Sequence, residues 1–395
     1  MKIEQIATLM NSVTGEVLGK TNIVTEDLSN VVEVGTEIFN ANAVDAYVKA
    51  LVNHIGKVVF VNRPYVGKVP SVLMDSWEFG SVLEKISADT PQATENDTWD
   101  LQDGQTYAQD VFYKPTVSAK FFNSRVTFEV PVSITERQVR QSFSSAEQLN
   151  GFISMIYGAV EKSMTIKTDA LIMRTINAMT AQTFVADAAA FGAESPNYNS
   201  ASTTRCVNLL KLYNDKFKPT KALTASDAIT NPEFVRFASY IMSMYADRLG
   251  SISTLFNIGG KDRFTPSDVL HFVVLSDFAQ AAKTYLYSDT KHNEFVQLPK
   301  HETVPYWQGS GTKYAFADTS KIDVKVGGKT DGVNVSVGGV LGVMFDRDAL
   351  GVACLDKRVT STYNAKAEFF NNYYKFDAGY FNDTNENFVV FYVGE

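Results

Sequence analysis

Residues 342–393 read GVMFDRDALGVACLDKRVTSTYNAKAEFFNNYYKFDAGYFNDTNENFVVFYV, and the alternation within them decides the class of fold. From Lys357 to Gly379 apolar and polar residues take turns as in strands with two unlike faces, and FVVFYV at 388–393 is a further extended run. That run stops close to the C terminus, so it is expected to be tied into a sheet rather than left as a tail. Between the extended runs, FDRDAL spaces Asp346 and Asp348 two apart. In a strand this would put both carboxylates on one face; the preferred reading is a turn with solvated carboxylates.

Upstream, from about 205 to about 350, helices and strands alternate. TTRCVNLLKLYNDKF reads as helical and KALTAS as extended, and Asn231-Pro232-Glu233 puts a cap residue, a first-turn proline and an acid before FVRFASYIMSMYADRLG. FTPSDVLHFVVLS reads as a strand and DFAQAAKTYLY as a helix, and glycines at 327, 328, 332, 338, 339 and 342 mark turns and bulges in an extended stretch. Residues 144–180 predict a long helix, with Ser144 and Glu147 at capping-box spacing and Leu149, Ile153, Ile156, Val160 and Met164 along one face. The alternative is two helices broken near Thr165.

The stretch 70–135 does not read as a compact domain. Seven acids (Glu84, Asp89, Glu95, Asp97, Asp100, Asp103, Asp110) stand against Lys85 over 81–110, and then Lys114, Lys120 and Arg125 reverse the sign. The pattern suits a long two-stranded excursion whose Tyr107, Phe112, Tyr113, Phe121 and Phe122 need a surface to pack against. One reading is an arm laid on a neighbouring subunit; the other is a solvated loop before an ordinary hairpin. Residues 1–55 predict an extended lead followed by one helix over AVDAYVKALVNHIG.

The chain has 395 residues, 44 acidic against 36 basic, a formal charge of −8 and 12% aromatic residues. Global disorder and a disulfide scaffold are excluded, since Cys206 and Cys354 are the only cysteines. Neither a signal peptide nor an eighteen-residue apolar run is present, so no membrane partner is expected. The acidic balance argues against a dedicated nucleic-acid binder.

Motifs for chemistry fall short. GGKT at 327–330 has Asp323 where a phosphate loop needs its first glycine, and a strand-like DGVNVSV follows. The histidines at 54, 271, 292 and 301 show no metal-ligand spacing, and Cys206 sits in an apolar pattern. An enzyme would need Asp227, Asp268, His271 and Asp346 to converge. Asn96, Asn334 and Asn382 head N-x-S/T triplets without an export signal. No catalytic residue, cofactor or metal is expected.

The order of elements resembles the major capsid protein of tailed bacteriophages, whose shell fold is shared with encapsulin nanocompartments and herpesvirus capsid floors. RVTFEVPVSITERQVRQSFSSAEQLNGFISMIYGAVEKSM at 125–164, FVVLSDFAQAAKTYLY at 272–287 and residues 342–393 carry the resemblance. It implies an α+β fold with an N-terminal arm and short helix at 1–64 and an extended loop at 65–125. A peripheral-domain part follows at 126–204 with a spine helix at 145–180, then an axial domain at 205–345 and closing peripheral strands at 346–395. The implied function is structural: hexamers and pentamers of many copies form an icosahedral shell around packaged double-stranded DNA, bound without sequence specificity. The implied location is the virion capsid, assembled in the bacterial host cytoplasm. A separate scaffolding protein, a portal protein and minor capsid or decoration proteins are the implied partners. Tyr107, Phe112, Tyr113, Lys114, Lys120, Phe121, Phe122 and Arg125 are the candidate intersubunit contacts. Lys114 and Lys120 invite comparison with covalently cross-linked shells, but neither matches a specific Asn. An encapsulin-like shell and a soluble α/β enzyme are the alternatives.

Overall fold

The computed structural model describes residues 3–19, 24–25, 29–40, 46–47, 50, 69–74, 83–91, 93–107, 110–135, 137–138, 146–192, 196–220, 222–287, 298–307, 320–327 and 332–395. Its elements begin with α1 (Ile3–Leu18), α2 (Val31–Asn40), β1 (Leu73–Met74), β2 (Leu83–Ala88), β3 (Val117–Phe122), β4 (Arg125–Thr135) and α3 (Ala146–Ala186). There follow β5 (Cys206–Asn208), α4 (Leu209–Phe217), α5 (Ala225–Ala228), α6 (Pro232–Leu249), β6 (Leu270–Leu275), α7 (Ser276–Tyr287) and β7 (Glu302–Val304). The chain closes with β8 (Ile322–Val326), β9 (Val333–Val337), β10 (Val340–Asp346), β11 (Leu350–Asn364), β12 (Phe369–Asn382) and β13 (Phe388–Tyr392). Two compact units result. The first joins Met1–Ser76, Arg125–Ile172 and Val352–Gly379; the second joins Trp77–Ser124, Met173–Gly351 and Tyr380–Glu395.

In the first unit the lead expected to be extended is helical. Ala7, Met10, Val13 and Thr14 recur at helical spacing and are buried. Polar residues between them hid the period, yet they serve the fold: Asn11 exchanges two 2.8 Å hydrogen bonds with the backbone of Val24. The helix expected over AVDAYVKALVNHIG at 43–56 lies largely outside the described residues; of it, Tyr47 and Ala50 are buried. The sheet of this unit runs β1-β11-β12-β4. β12 and β4 pair antiparallel from Phe369↔Thr135 to Gly379↔Arg125, and Phe128 and Phe376 meet with ring centroids 5.0 Å apart. Pro131, which lacks a donor, lies on β4 at the end of the strand order, the place in a sheet where proline is tolerated.

The 41 residues of α3 form one uninterrupted helix, about 60 Å long at 1.5 Å per residue. The alternative of a break near Thr165 does not occur: the Thr168 hydroxyl donates to the Met164 carbonyl at 3.0 Å, closing its polar group onto the helix itself. Thr180 and Thr183 do the same, so the helix passes its expected end at 180 and reaches Ala186. Ser144 lies outside the described residues.

The second unit is built on a sheet of order β5-β13-β10-β6-β7. β10 and β13 are buried along their whole lengths, as strands covered on both faces must be. One cover is a cluster in which α4, α6 and α7 contribute Tyr213, Phe234, Met242 and Phe278 against Phe272 and Phe391 of the sheet. The other includes the end of α3, where Phe184 meets the Tyr392 ring at 5.2 Å. α6 starts as its sequence predicts: Asn231 accepts hydrogen bonds from the amides of Glu233 and Phe234, and Pro232 occupies the first turn.

One expectation is corrected here. Cys206 belongs to a strand, not a helix; α4 begins at Leu209 because the Asn208 side chain accepts from Lys211 N and stops the strand. The strands of the segment 346–395 fall in two sheets. β11 and β12 join β4 and β1, whereas β13 lies between β5 and β10, in the sheet of the 205–345 segment. Strand partners so distant in the chain leave no trace in local alternation.

Candidate functional site

β2 and β3 form an antiparallel hairpin in the second unit, paired from Leu83↔Phe122 to Ala88↔Val117. Leu83, Lys85, Ser87, Ser118, Lys120 and Phe122 occupy its half-buried face, and Glu84, Ile86, Ala88, Val117, Ala119 and Phe121 its exposed face. This polarity is inverted relative to an ordinary surface strand, because charge and hydroxyls point inward while all but one of the outward residues are apolar. Ile86 and Phe121 are 66% and 64% exposed.

The inward face is seated on the turn between β12 and β13. Lys85 Nζ lies 2.9 Å from Asp383 Oδ2 and 2.7 Å from Glu386 Oε1, and Lys120 Nζ lies 2.9 Å from Asp383 Oδ1. Arg263 Nε approaches the same Glu386 oxygen at 3.2 Å, and Lys261 holds both oxygens of Asp89 at 2.8 Å. Burial alone would lower the Lys85 ammonium's pKa, but Glu386 and Asp383 outweigh it and raise the value. Burial likewise works to raise Asp383, and Lys120 and Lys85 together hold it below the usual carboxylate range. At the root of the hairpin Phe122 packs on Phe381, ring centroids 5.1 Å apart.

Beyond the ladder the loop carries its aromatics into solvent: Phe112 is 86% exposed, Tyr113 84% and Trp99 98%. Glu95, Asp100, Asp103 and Asp110 are exposed around them. Of the sequence candidates, Tyr107, Phe112, Tyr113, Lys114, Phe121 and Arg125 are exposed, and the Tyr107 hydroxyl also accepts from Gln102 N at 3.2 Å. Lys120 and Phe122 face their own subunit. Sequence reading passed over Trp99 and Ile86, although a lone Trp in an acidic polar stretch is itself a signal. It also missed the Asp383 and Glu386 seat, which lies some 300 residues from Lys85.

The residues weighed for chemistry have structural roles or face solvent. Asp346 is buried; its carboxylate accepts from the Thr265 hydroxyl at 2.8 Å and from Asp348 N at 2.9 Å, bracing the turn after β10. His271 lies beside Phe345, with burial lowering its pKa, while Asp227 and Asp268 are exposed. Burial raises the Cys206 thiol well above its ordinary value, which suppresses the thiolate. Gly327 turns β8 toward β9, a strand and not a helix, so the phosphate-loop reading fails. His54 and His292 lie outside the described residues. Among the described residues no group of three His, Cys, Asp or Glu is placed to hold a metal, and no helix is long and apolar enough to cross a membrane.

Residues 8–392 match the family model of the Phi29-like phage major capsid protein. The chain belongs to that family. It is a structural capsid protein of the virion, one that builds a shell from many copies. No curated protein matches it in sequence. Among solved structures, the capsid of Staphylococcus phage Andhra is similar at 8% identity and a TM-score of 0.48, over 84% of this chain and 86% of that one. The capsid of cyanophage P-SCSP1u aligns at 11% identity and 0.45, over 82% and 87%. The mature capsid of bacteriophage PhiM1 aligns at 9% and 0.45, over 84% and 88%. In this capsid protein the hairpin carries exposed apolar side chains, Ile86 and Phe121 on its ladder and Phe112 and Tyr113 beyond it.

Proposed function

We propose that this capsid protein assembles as hexamers and pentamers into a closed icosahedral shell around packaged double-stranded DNA, and that residues 83–122 lie across the adjacent subunit. The observation that supports this is the inverted hairpin. A ribbon that turns Ile86, Val117 and Phe121 outward and carries Phe112 and Tyr113 in solvent exposes apolar area that only a neighbour would cover. Tyr107, Phe112, Tyr113, Lys114, Phe121 and Arg125 meet that neighbour; the aromatics supply most of the affinity, and the acids of 95–110 with Lys114 set register. A net charge of −8 leaves the enclosed polyanion free to move during packaging.

In this reading residues 1–64 are an arm, 65–125 the extended loop, 126–204 and most of 346–382 the peripheral part, and 205–345 with β13 the axial part. Assembly takes place in the host cytoplasm with a separate scaffolding protein, and a portal and minor or decoration proteins complete the virion.

Electron microscopy of the purified protein tests the reading. The full chain should give uniform closed particles, with nuclease-protected DNA when they are taken from infected cells. Replacing residues 91–115 by a short turn should leave soluble subunits and no closed shells. Normal shell yield from that deletion would sink the proposal.

A further inference from the structure

Lys85 and Lys120 are directly opposed across the β2/β3 ladder. Side chains at such positions lie about 5 Å apart at Cβ, and like charges placed there oppose pairing of the strands. The ladder nevertheless forms, because a single carboxylate bridges the pair: Asp383 gives Oδ2 to Lys85 and Oδ1 to Lys120, each at 2.9 Å. The Asp383 side chain is only 2% exposed, so little solvent screens the exchange of charge. It is held from behind as well. Its amide donates to the Ala349 carbonyl at 2.7 Å, and Oδ1 also accepts from Asn385 N at 3.0 Å. Glu386 supports Lys85 but is shared with Arg263. The Asp89–Lys261 tie at the far end is about one-third exposed and accordingly weaker.

We infer that Asp383 is the positioning residue of the assembly loop, and that the hairpin stays ordered, with its apolar face outward, only while this carboxylate neutralises the opposed lysines. Off its seat, the ribbon loses both its anchor and the balance of charge its own ladder needs. Presentation of the apolar face is thereby conditional on a turn distant in the chain.

Hydrogen exchange on the unassembled subunit tests this directly. In D383N, amides of 84–88 and 117–122 should lose protection by roughly tenfold or more, with β10 and β13 unchanged. Adding Lys85→Met, which removes the like-charge opposition while keeping an apolar stem, should restore much of the ladder. Unchanged protection in D383N, or no recovery in D383N/K85M, overturns the inference. Should D383N alter exchange throughout β10 and β13, Lys85→Met alone decides. With Asp383 still holding Lys120 its ladder should remain protected, and loss of protection overturns the inference.

The inference rests on the proposed intersubunit role only for its consequence in assembly, and shell yield of the same variants separates the two. Ladder loss with normal shells refutes the intersubunit role and leaves the positioning role standing. An intact ladder in D383N refutes the positioning role alone.

Discussion

Arg358 on β11 grips Asp377 on β12 through both terminal guanidinium nitrogens, Nη1 and Nη2, at 2.6 and 3.4 Å. The Thr127 hydroxyl of β4 donates to the same carboxylate, so one aspartate ties three adjacent strands on the exposed side of the first unit's sheet. Hydrogen bonds from Arg358, opposed by burial and joined by that from Thr127, hold Asp377 below the usual carboxylate range.

The sign of the pH dependence follows. Because the folded-state value is depressed, the stabilisation is fully present above the unfolded aspartate value of about 4 and is lost as pH falls through the lower folded value. Asp377→Asn should therefore lower the thermal midpoint of the subunit slightly at neutral pH. The gap between variant and parent should close as acid is added. A gap of constant size across that range would contradict this account.

The exposed aromatics make a different prediction. Phe112 and Tyr113 touch little of their own subunit, so replacing both by Ser should change subunit stability by no more than about 0.5 kcal/mol. The yield of closed particles in sedimentation should nevertheless fall severely. A matching loss of subunit stability would show that they pack within their own chain.

Phe184 tests the second unit's core. It is fully buried and meets Phe191, Tyr198 and Tyr392 at centroid distances of 5.5, 5.7 and 5.2 Å. Phe184→Ala should cost about 3–5 kcal/mol through lost burial and the cavity left behind, read as an earlier denaturant midpoint.

Gly339 has φ +70, and a Cβ at this position would collide with the Val393 carbonyl oxygen. The Val393 amide donates to Gly339 O at 2.8 Å, so the two backbones lie in contact. Gly339→Ala should destabilise by more than about 1 kcal/mol and expose the segment after β13 to proteolysis sooner than in the parent.

What the sequence discloses and what it withholds divide along physical lines. Features with short-range causes are legible: the Asn231-Pro232-Glu233 start of α6, the apolar face of α3, the strand alternation of 357–379 and the aromatic loop itself. The family's order of elements is legible for the same reason, since it is a succession of such local signals. α1 escaped notice because Asn11 and Thr14, placed inward to satisfy backbone groups, break the apolar period that marks a helix. The sheet that receives β13 and the seat beneath Lys85 are set by pairings across hundreds of residues, where neither periodicity nor spacing carries information. The loop is therefore legible in its composition, and its anchor is not.

The place of β13 has a consequence in time. The strand between β5 and β10 is made of residues 388–392, later in the chain than every other strand of that sheet. During translation its neighbours emerge before it, so this sheet is completed by a segment made after all its partners. Until then β5 and β10 lack the partner that lies between them in the finished sheet.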